Sequence, residues 1–138
     1  DLEHVAADNP EIAEALRTYA RLEKSILTEW IVNIGRRDAL ERTAHFICEV
    51  WTRLKLTDPS TRKQFEFPIT QEDLADVLGL TPVHINRKLQ QLRQEGLITL
   101  QSRQLTIHNV SALADIAGFE ESYLDPHPQA EERLAAAS

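Results

Sequence analysis

The sequence has no methionine, a single cysteine (Cys48) and only four glycines among its 138 residues. Each shortage removes a class of proteins. One cysteine cannot close an internal disulfide, and its neighbours Phe46, Ile47 and Val50 point to a buried, inert thiol in a reducing compartment. So few glycines leave no Gly-rich loop to cradle a phosphate, and His4, His45, His84, His108 and His127 lack the spacing of zinc ligands. No enzyme is expected, and no cofactor or metal; His45 and His108 are read as structural. No run of about 18 apolar residues is available to span a bilayer, and the N-terminus lacks the basic-then-apolar order of a signal peptide. A cytoplasmic protein without membrane contact is expected. The missing methionine argues that translation starts upstream of Asp1, so the chain reads as a fragment or a processed form.

What is present is an ordinary globular composition, 42% hydrophobic and 27% charged, enough for one compact domain plus an extended element. The formal charge of -7 speaks against a polyanionic partner until it is located along the chain. Residues 1–16 hold five acids and no Lys or Arg, and residues 119–138 hold five acids against Arg133. The stretch between them has 14 basic and 12 acidic groups. Within residues 81–104, Arg87, Lys88, Arg93 and Arg103 face Glu95 alone. The acid lies at the ends and the base lies centrally.

Over residues 10–35, Ile12, Leu16, Tyr19, Leu22, Ile26, Leu27, Trp30, Ile31 and Ile34 recur at three- and four-residue spacing without internal Pro or Gly. This predicts one helix of about seven turns. Its stripe is wider than a coiled-coil seam and is interrupted by Glu23, so it packs on more than one surface, and the helix of a second copy is the natural partner. Leu16, Tyr19, Ile26 and Trp30 are the candidate dimer contacts. Gly35 is expected to break the helix and residues 33–38 to form a hinge, with Asp38 capping a second helix through Leu40, Ala44, Ile47, Val50, Trp51 and Leu54. Asp58-Pro59-Ser60 marks a loop, and Phe65, Phe67 and Ile69 alternate with Glu66 and Pro68 as a strand at a sheet edge.

Thr70 and Asp73 then have the spacing of a capping box, followed by a short helix with Leu74, Val77 and Leu78 on one side and Gly79 for a tight turn. Thr81 caps a second helix, Pro82 fills its first turn, Ile85, Leu89 and Leu92 form its buried face, and Gly96 ends it. Its other face carries Val83, His84, Arg87 and Lys88 with Asn86, Gln90 and Gln91. That surface suits a DNA major groove: Arg for guanine O6 and N7, an apolar group for a thymine methyl, amides or hydroxyls for phosphates. Residues 97–100 and 105–108 read as strands joined by Gln101-Ser102-Arg103-Gln104, a wing. A last helix is expected over residues 111–117, and the chain beyond Glu121 is expected to be loose.

The fold class is therefore mainly α with a small β-wing: a long dimerisation helix followed by a winged helix-turn-helix domain. The run ITQEDLADVLGLTPVHINRKLQQLRQEGLI resembles the winged-helix domain of the Crp/Fnr family of transcription regulators. The resemblance extends over residues 10–119, and the chain is expected to divide into the remnant of a sensor-domain end with the long dimerisation helix (1–37), a winged helix-turn-helix DNA-binding domain (38–119) and a flexible acidic tail (120–138). It implies a homodimer on a near-palindromic site in double-stranded DNA, which it bends, and contact with RNA polymerase. It also implies that Arg87 reads a base and that Thr70, Gln71, Thr81, Gln101 and Arg103 hold phosphates; Asn86 and Gln90 join them as amides. Val83 and His84 stand where the family often has Glu-Thr, so base preference there differs, with Val83 suited to a thymine methyl and His84 to a base edge or phosphate. Pro82 replaces a frequent Arg. Nothing resembles the family's sensor barrel, so no effector is assigned. A winged helix used only for contact with another protein is the alternative, and the acidic total charge would suit it.

Overall fold

The computed structural model describes residues 2–127. Two compact units emerge: one is Val32–Glu120, and the other holds the described residues up to Ile31 and from Glu121 onward. The second unit contains α1 (Leu2–Asp8), most of α2 (Pro10–Arg36) and a 3₁₀ turn, Glu121–Leu124. The side-chain carbonyl of Asn9 accepts from Glu11 N at 3.2 Å, which caps α2 where Pro10 occupies its first turn. Neither α1 nor the 3₁₀ turn, whose Leu124 is buried, was anticipated by the periodicity. Residues 128–138 of the expected tail lie outside the described residues.

The Val32–Glu120 unit runs from the last turn of α2 through α3 (Ala39–Thr57), β1 (Gln64–Glu66), α4 (Gln71–Leu78), α5 (Pro82–Gln94), β2 (Ile98–Gln101), β3 (Gln104–Ile107) and α6 (Val110–Ala117). Its core gathers Ala44 and Ile47 from α3, Leu74 and Leu78 from α4, Ile85, Leu89 and Leu92 from α5, Ile98, Leu105 and Ile107 from the sheet, and Leu113 from α6. α3 packs on α5 and α6, and α4 on α5. The sheet is antiparallel with order β1-β3-β2, so β1 lies at an edge, but it ends at Glu66 and leaves Phe67, Pro68 and Ile69 of the expected strand outside it. Phe65, Leu105 and Leu100 form one row across it, and Phe67 packs edge-on against both Phe46 and Phe65 at 6.3 Å. His45 is fully buried beside Phe119, ring centroids 5.2 Å apart. Cys48 is buried as well, and desolvation pushes its thiol up to about 12.

Two further expectations need correction. α2 does not stop at Gly35 but continues through it to Arg36, which reduces the expected hinge at residues 33–38 to Arg37 and Asp38. A glycine costs a helix only about 1 kcal/mol, whereas Asp38 starts a new one outright. Its carboxylate accepts from Leu40 N and Glu41 N at 2.8 and 2.9 Å, while Asp38 N donates to Glu41. The wing connection is also tighter than the four residues expected: Gln101 and Gln104 still pair, leaving only Ser102 and Arg103 in the turn.

These environments predict opposite outcomes for two glycines. At Gly35 no atom would lie within 4 Å of an added methyl and the backbone is helical, so Gly35→Ala should raise stability by about 0.5–1 kcal/mol. Gly79 has φ +64°, so Gly79→Ala should lower it by about 1–2 kcal/mol. Urea unfolding of both variants checks the contrast.

Candidate nucleic-acid interface

The corner between α4 and α5 is fixed by local chemistry at three points. Thr70 caps α4: its hydroxyl donates to Asp73 Oδ2 at 2.7 Å and accepts from Asp73 N at 3.0 Å. Gly79 ends α4 in the left-handed region, and Leu80 N donates back to Ala75 O at 2.9 Å, closing the turn. Thr81 caps α5 by accepting from His84 N at 3.2 Å, with Pro82 at the first helical turn. Burial of Ile85, Leu89 and Leu92 then decides which face of α5 is left outside.

That outer face carries Val83, His84, Arg87, Gln90 and Gln94, all exposed, with Val83 at 64%. Asn86, Lys88 and Gln91 are half-buried on its flanks. The base-reading candidates Arg87, His84 and Val83 therefore share one surface, in the first two turns of the helix. Gln94 extends the same line, one heptad beyond Arg87; that seven-residue spacing was the available signal for it. Gln71, in the first turn of α4, donates from Nε2 to Asn86 Oδ1 at 3.5 Å, which places these two phosphate candidates together. Thr70's hydroxyl hydrogen is engaged by Asp73, whereas Thr81's hydroxyl only accepts. Among the described residues, Arg87, Lys88 and Arg103 make no side-chain hydrogen bond or ion pair, while Arg17, Arg21 and Arg53 are paired with glutamates. α5 and the wing thus carry cations that no carboxylate of the described residues neutralises.

At the wing tip, Ser102 and Arg103 have φ of 52° and 60°, a conformation that disfavours side chains. The two-residue turn between paired strands requires it, and Asn or Gly usually supplies it. Phe67 N donates to Arg103 O at 2.7 Å and anchors the turn to the end of β1. Gln101 and Arg103 are both exposed here. Behind the wing, Thr99 Oγ1 and His108 Nε2 hydrogen-bond at 2.6 Å, giving His108 a role in the hairpin.

Of the four dimer candidates, Leu16 and Tyr19 are exposed on α2, and Ile26 and Trp30 are half-buried. The open apolar side of α2 further includes Leu27, Ile31 and Ile34, with Ile31 72% exposed. Ile26 stands about 100° round the helix from Leu27, at the border of that stripe.

The family description of the Crp-like helix-turn-helix domain matches residues 41–116, from the first turn of α3 into α6. The chain belongs to the Crp/Fnr family. Its similarity to the transcriptional activator protein FnrL of Cereibacter sphaeroides is 28% identity over 120 residues, 84% of this chain and 48% of that protein. With the nitrogen fixation regulation protein FixK of Azorhizobium caulinodans it is 32% over 109 residues, 78% of this chain and 44% of that one. The solved structure of FixK2 from Bradyrhizobium japonicum superposes with a TM-score of 0.75 at 27% identity, covering 86% of this chain and 58% of FixK2. The chain thus spans about half the length of the curated relatives it matches. No helix among the described residues is long and apolar enough to cross a membrane.

The strained wing of this Crp/Fnr chain yields a prediction in which stability and binding part company. Arg103→Gly relieves the left-handed backbone and should stabilise the fold by up to about 1 kcal/mol. If Arg103 holds a phosphate, the same variant should bind duplex DNA more weakly at every sequence and with a shallower salt dependence. Thermal unfolding and a salt titration of binding check both halves.

Proposed function

We propose that this chain is the dimerising and DNA-reading part of a Crp/Fnr transcription regulator. Two copies pair along α2 and insert their α5 helices into successive major grooves of a near-palindromic site. The observation that carries this reading is the outer face of α5: unpaired Arg87 beside exposed Val83 and His84, set on a corner capped at Thr70, Gly79 and Thr81. A guanidinium at that place can donate twice to guanine O6 and N7, Val83 can cover a thymine methyl, and His84 can reach a base edge or phosphate. Thr81, Gln90, Gln101 and Arg103 surround these readers as phosphate contacts, with Gln71 and Asn86 acting as a hydrogen-bonded pair; Thr70 contributes through its cap.

Pairing through α2 covers the apolar side formed by Leu16, Tyr19, Leu27, Ile31 and Ile34, with Trp30 beside it. Ile26 contributes at the border of that contact. The names of the relatives, a transcriptional activator and a nitrogen fixation regulation protein, support a gene regulator; a cytoplasmic place and contact with RNA polymerase belong to the proposal as what that role requires. The chain acts by binding rather than by catalysis.

Selection of bound sequences from a random DNA pool should return an inverted repeat whose half-sites are about 34 Å apart. Affinity should fall by about 10³–10⁵ between about 50 and 200 mM salt if the dimer makes six to ten phosphate contacts. Arg87→Ala should cost about 1–3 kcal/mol and relax one base position per half-site. An asymmetric footprint, binding indifferent to salt, or an unchanged base profile in Arg87→Ala would each contradict the assignment. A stable dimer that binds no duplex at all would favour a protein-interaction module.

A further inference from the structure

One arginine joins three parts of the Val32–Glu120 unit. Arg42, near the start of α3, donates from Nη1 to Leu78 O at 2.7 Å and from Nη2 to Ile34 O and Arg37 O, each at 3.1 Å. Leu78 is the last residue of α4, Ile34 lies in the last turn of α2, and Arg37 belongs to the two-residue connector. The carbonyls at both helix ends are among those that a helix leaves without internal partners. The guanidinium also underlies the turn of the helix-turn-helix, since a methyl at Gly79 would stand 3.9 Å from Nη1.

The rest of the junction offers little polar hold on the end of α2. Asn33, in the same last turn, is fully buried, and neither its amide nitrogen nor its oxygen has a partner among the described residues. Arg37 is committed elsewhere: its Nε and Nη2 donate to Ala117 O and Gly118 O at 2.9 and 3.0 Å, at the end of α6. Only a planar, forked cation can serve several carbonyls in fixed directions at once; an ammonium is a single mobile point of charge.

We propose that Arg42 is a positioning residue for DNA recognition, locking the turn of the helix-turn-helix to the end of α2 so that pairing of two α2 helices fixes the separation of the two reading helices. The proposal rests on the dimeric DNA-reading function above and adds a residue that touches no DNA. Without the lock each protomer still reads its own half-site, but the end of α2 then keeps only the connector, pinned to the end of α6 through Arg37, and slack on the α2 side of that pin lets the two readers accept other separations. Binding two half-sites at once is favourable only when the geometry permits both, so the lock becomes visible as selectivity for spacer length.

The test has two arms, both on the full chain. In the first, spin labels at Arg36→Cys and Gln94→Cys, two exposed positions of the same unit, report the distance between the end of α2 and the end of α5. Labelled chains are diluted with unlabelled ones, and the buried Cys48 stays in place. The distance distribution should be narrow in the parent and clearly broader in Arg42→Ala and Arg42→Lys; equal widths would overturn the lock. In the second arm, the selected palindrome is rebuilt with its spacer lengthened or shortened by one or two base pairs. The parent should lose about tenfold or more in affinity at a changed spacer, and Arg42→Ala should bind all spacers within about threefold while keeping its base preferences within each half-site. Spacer selectivity as sharp as the parent's, or affinity reduced equally at every spacer, would reduce Arg42 to a structural residue and overturn the proposal. If Arg42→Ala does not fold, Arg42→Lys keeps the stem and charge, loses the fork, and carries the same outcomes. A parent that binds no duplex defeats the DNA-reading function, and the distance arm still decides whether the lock exists.

Discussion

Burial of Ile85, Leu89 and Leu92 is the constraint on which the rest of the interface depends. These side chains, at most 1% exposed, seat α5 against α3 and α4. Removing such a side chain to alanine ordinarily costs about 2–5 kcal/mol, far more than any polar contact on the outer face supplies. Orientation of α5 is therefore decided by apolar packing. Once that face is inside, the helical period leaves Val83, His84, Arg87, Gln90 and Gln94 outside whatever their own preferences. The caps at Thr70 and Thr81 and the left-handed turn at Gly79 then set where α5 begins, which decides that Arg87 stands in its second turn.

Charge follows the same division of labour. The chain is acidic in total, yet Arg87, Lys88 and Arg103 on α5 and the wing are left without carboxylate partners among the described residues, while Arg17, Arg21 and Arg53 are paired with glutamates. An arginine already neutralised by a neighbouring carboxylate would have to exchange that partner for a phosphate or a base, and little free energy would be gained. Arg87 and Arg103 have no such exchange to make. The strained conformation at Ser102 and Arg103 belongs to the same logic, because the tight turn that carries Arg103 outward is incompatible with an unstrained backbone for a residue with a side chain.

Much of this was legible in the sequence because it is local. The Thr70 and Asp73 pair, Gly79, Thr81 with Pro82, and the apolar spacing of Ile85, Leu89 and Leu92 each act within one turn of chain, and the helices, caps and reading face follow from them. The Crp/Fnr resemblance rests on the same run. What was illegible is what arises between distant segments or from competition between neighbours. Gly35 has the look of a helix breaker, but a glycine only weakens a helix, and the true boundary is set by the capping box of Asp38 and Glu41. The wing turn shrank because Gln101 and Gln104 keep pairing, a choice made by strand register rather than by polarity. Arg42 gave no sequence signal, since its partners are main-chain carbonyls at Ile34, Arg37 and Leu78, which any residue types would provide.

The central claim is that Arg87, held outward by the burial of the opposite face, reads a guanine in each half-site. Methylation of guanine N7 along a selected duplex, followed by separation of bound from free DNA, tests it most directly, because the methyl occupies the acceptor that a guanidinium would use. One guanine in each half-site should block binding of the parent chain when methylated and should cease to matter for Arg87→Ala. Binding indifferent to N7 methylation, or the same interference pattern with and without Arg87, would contradict the account.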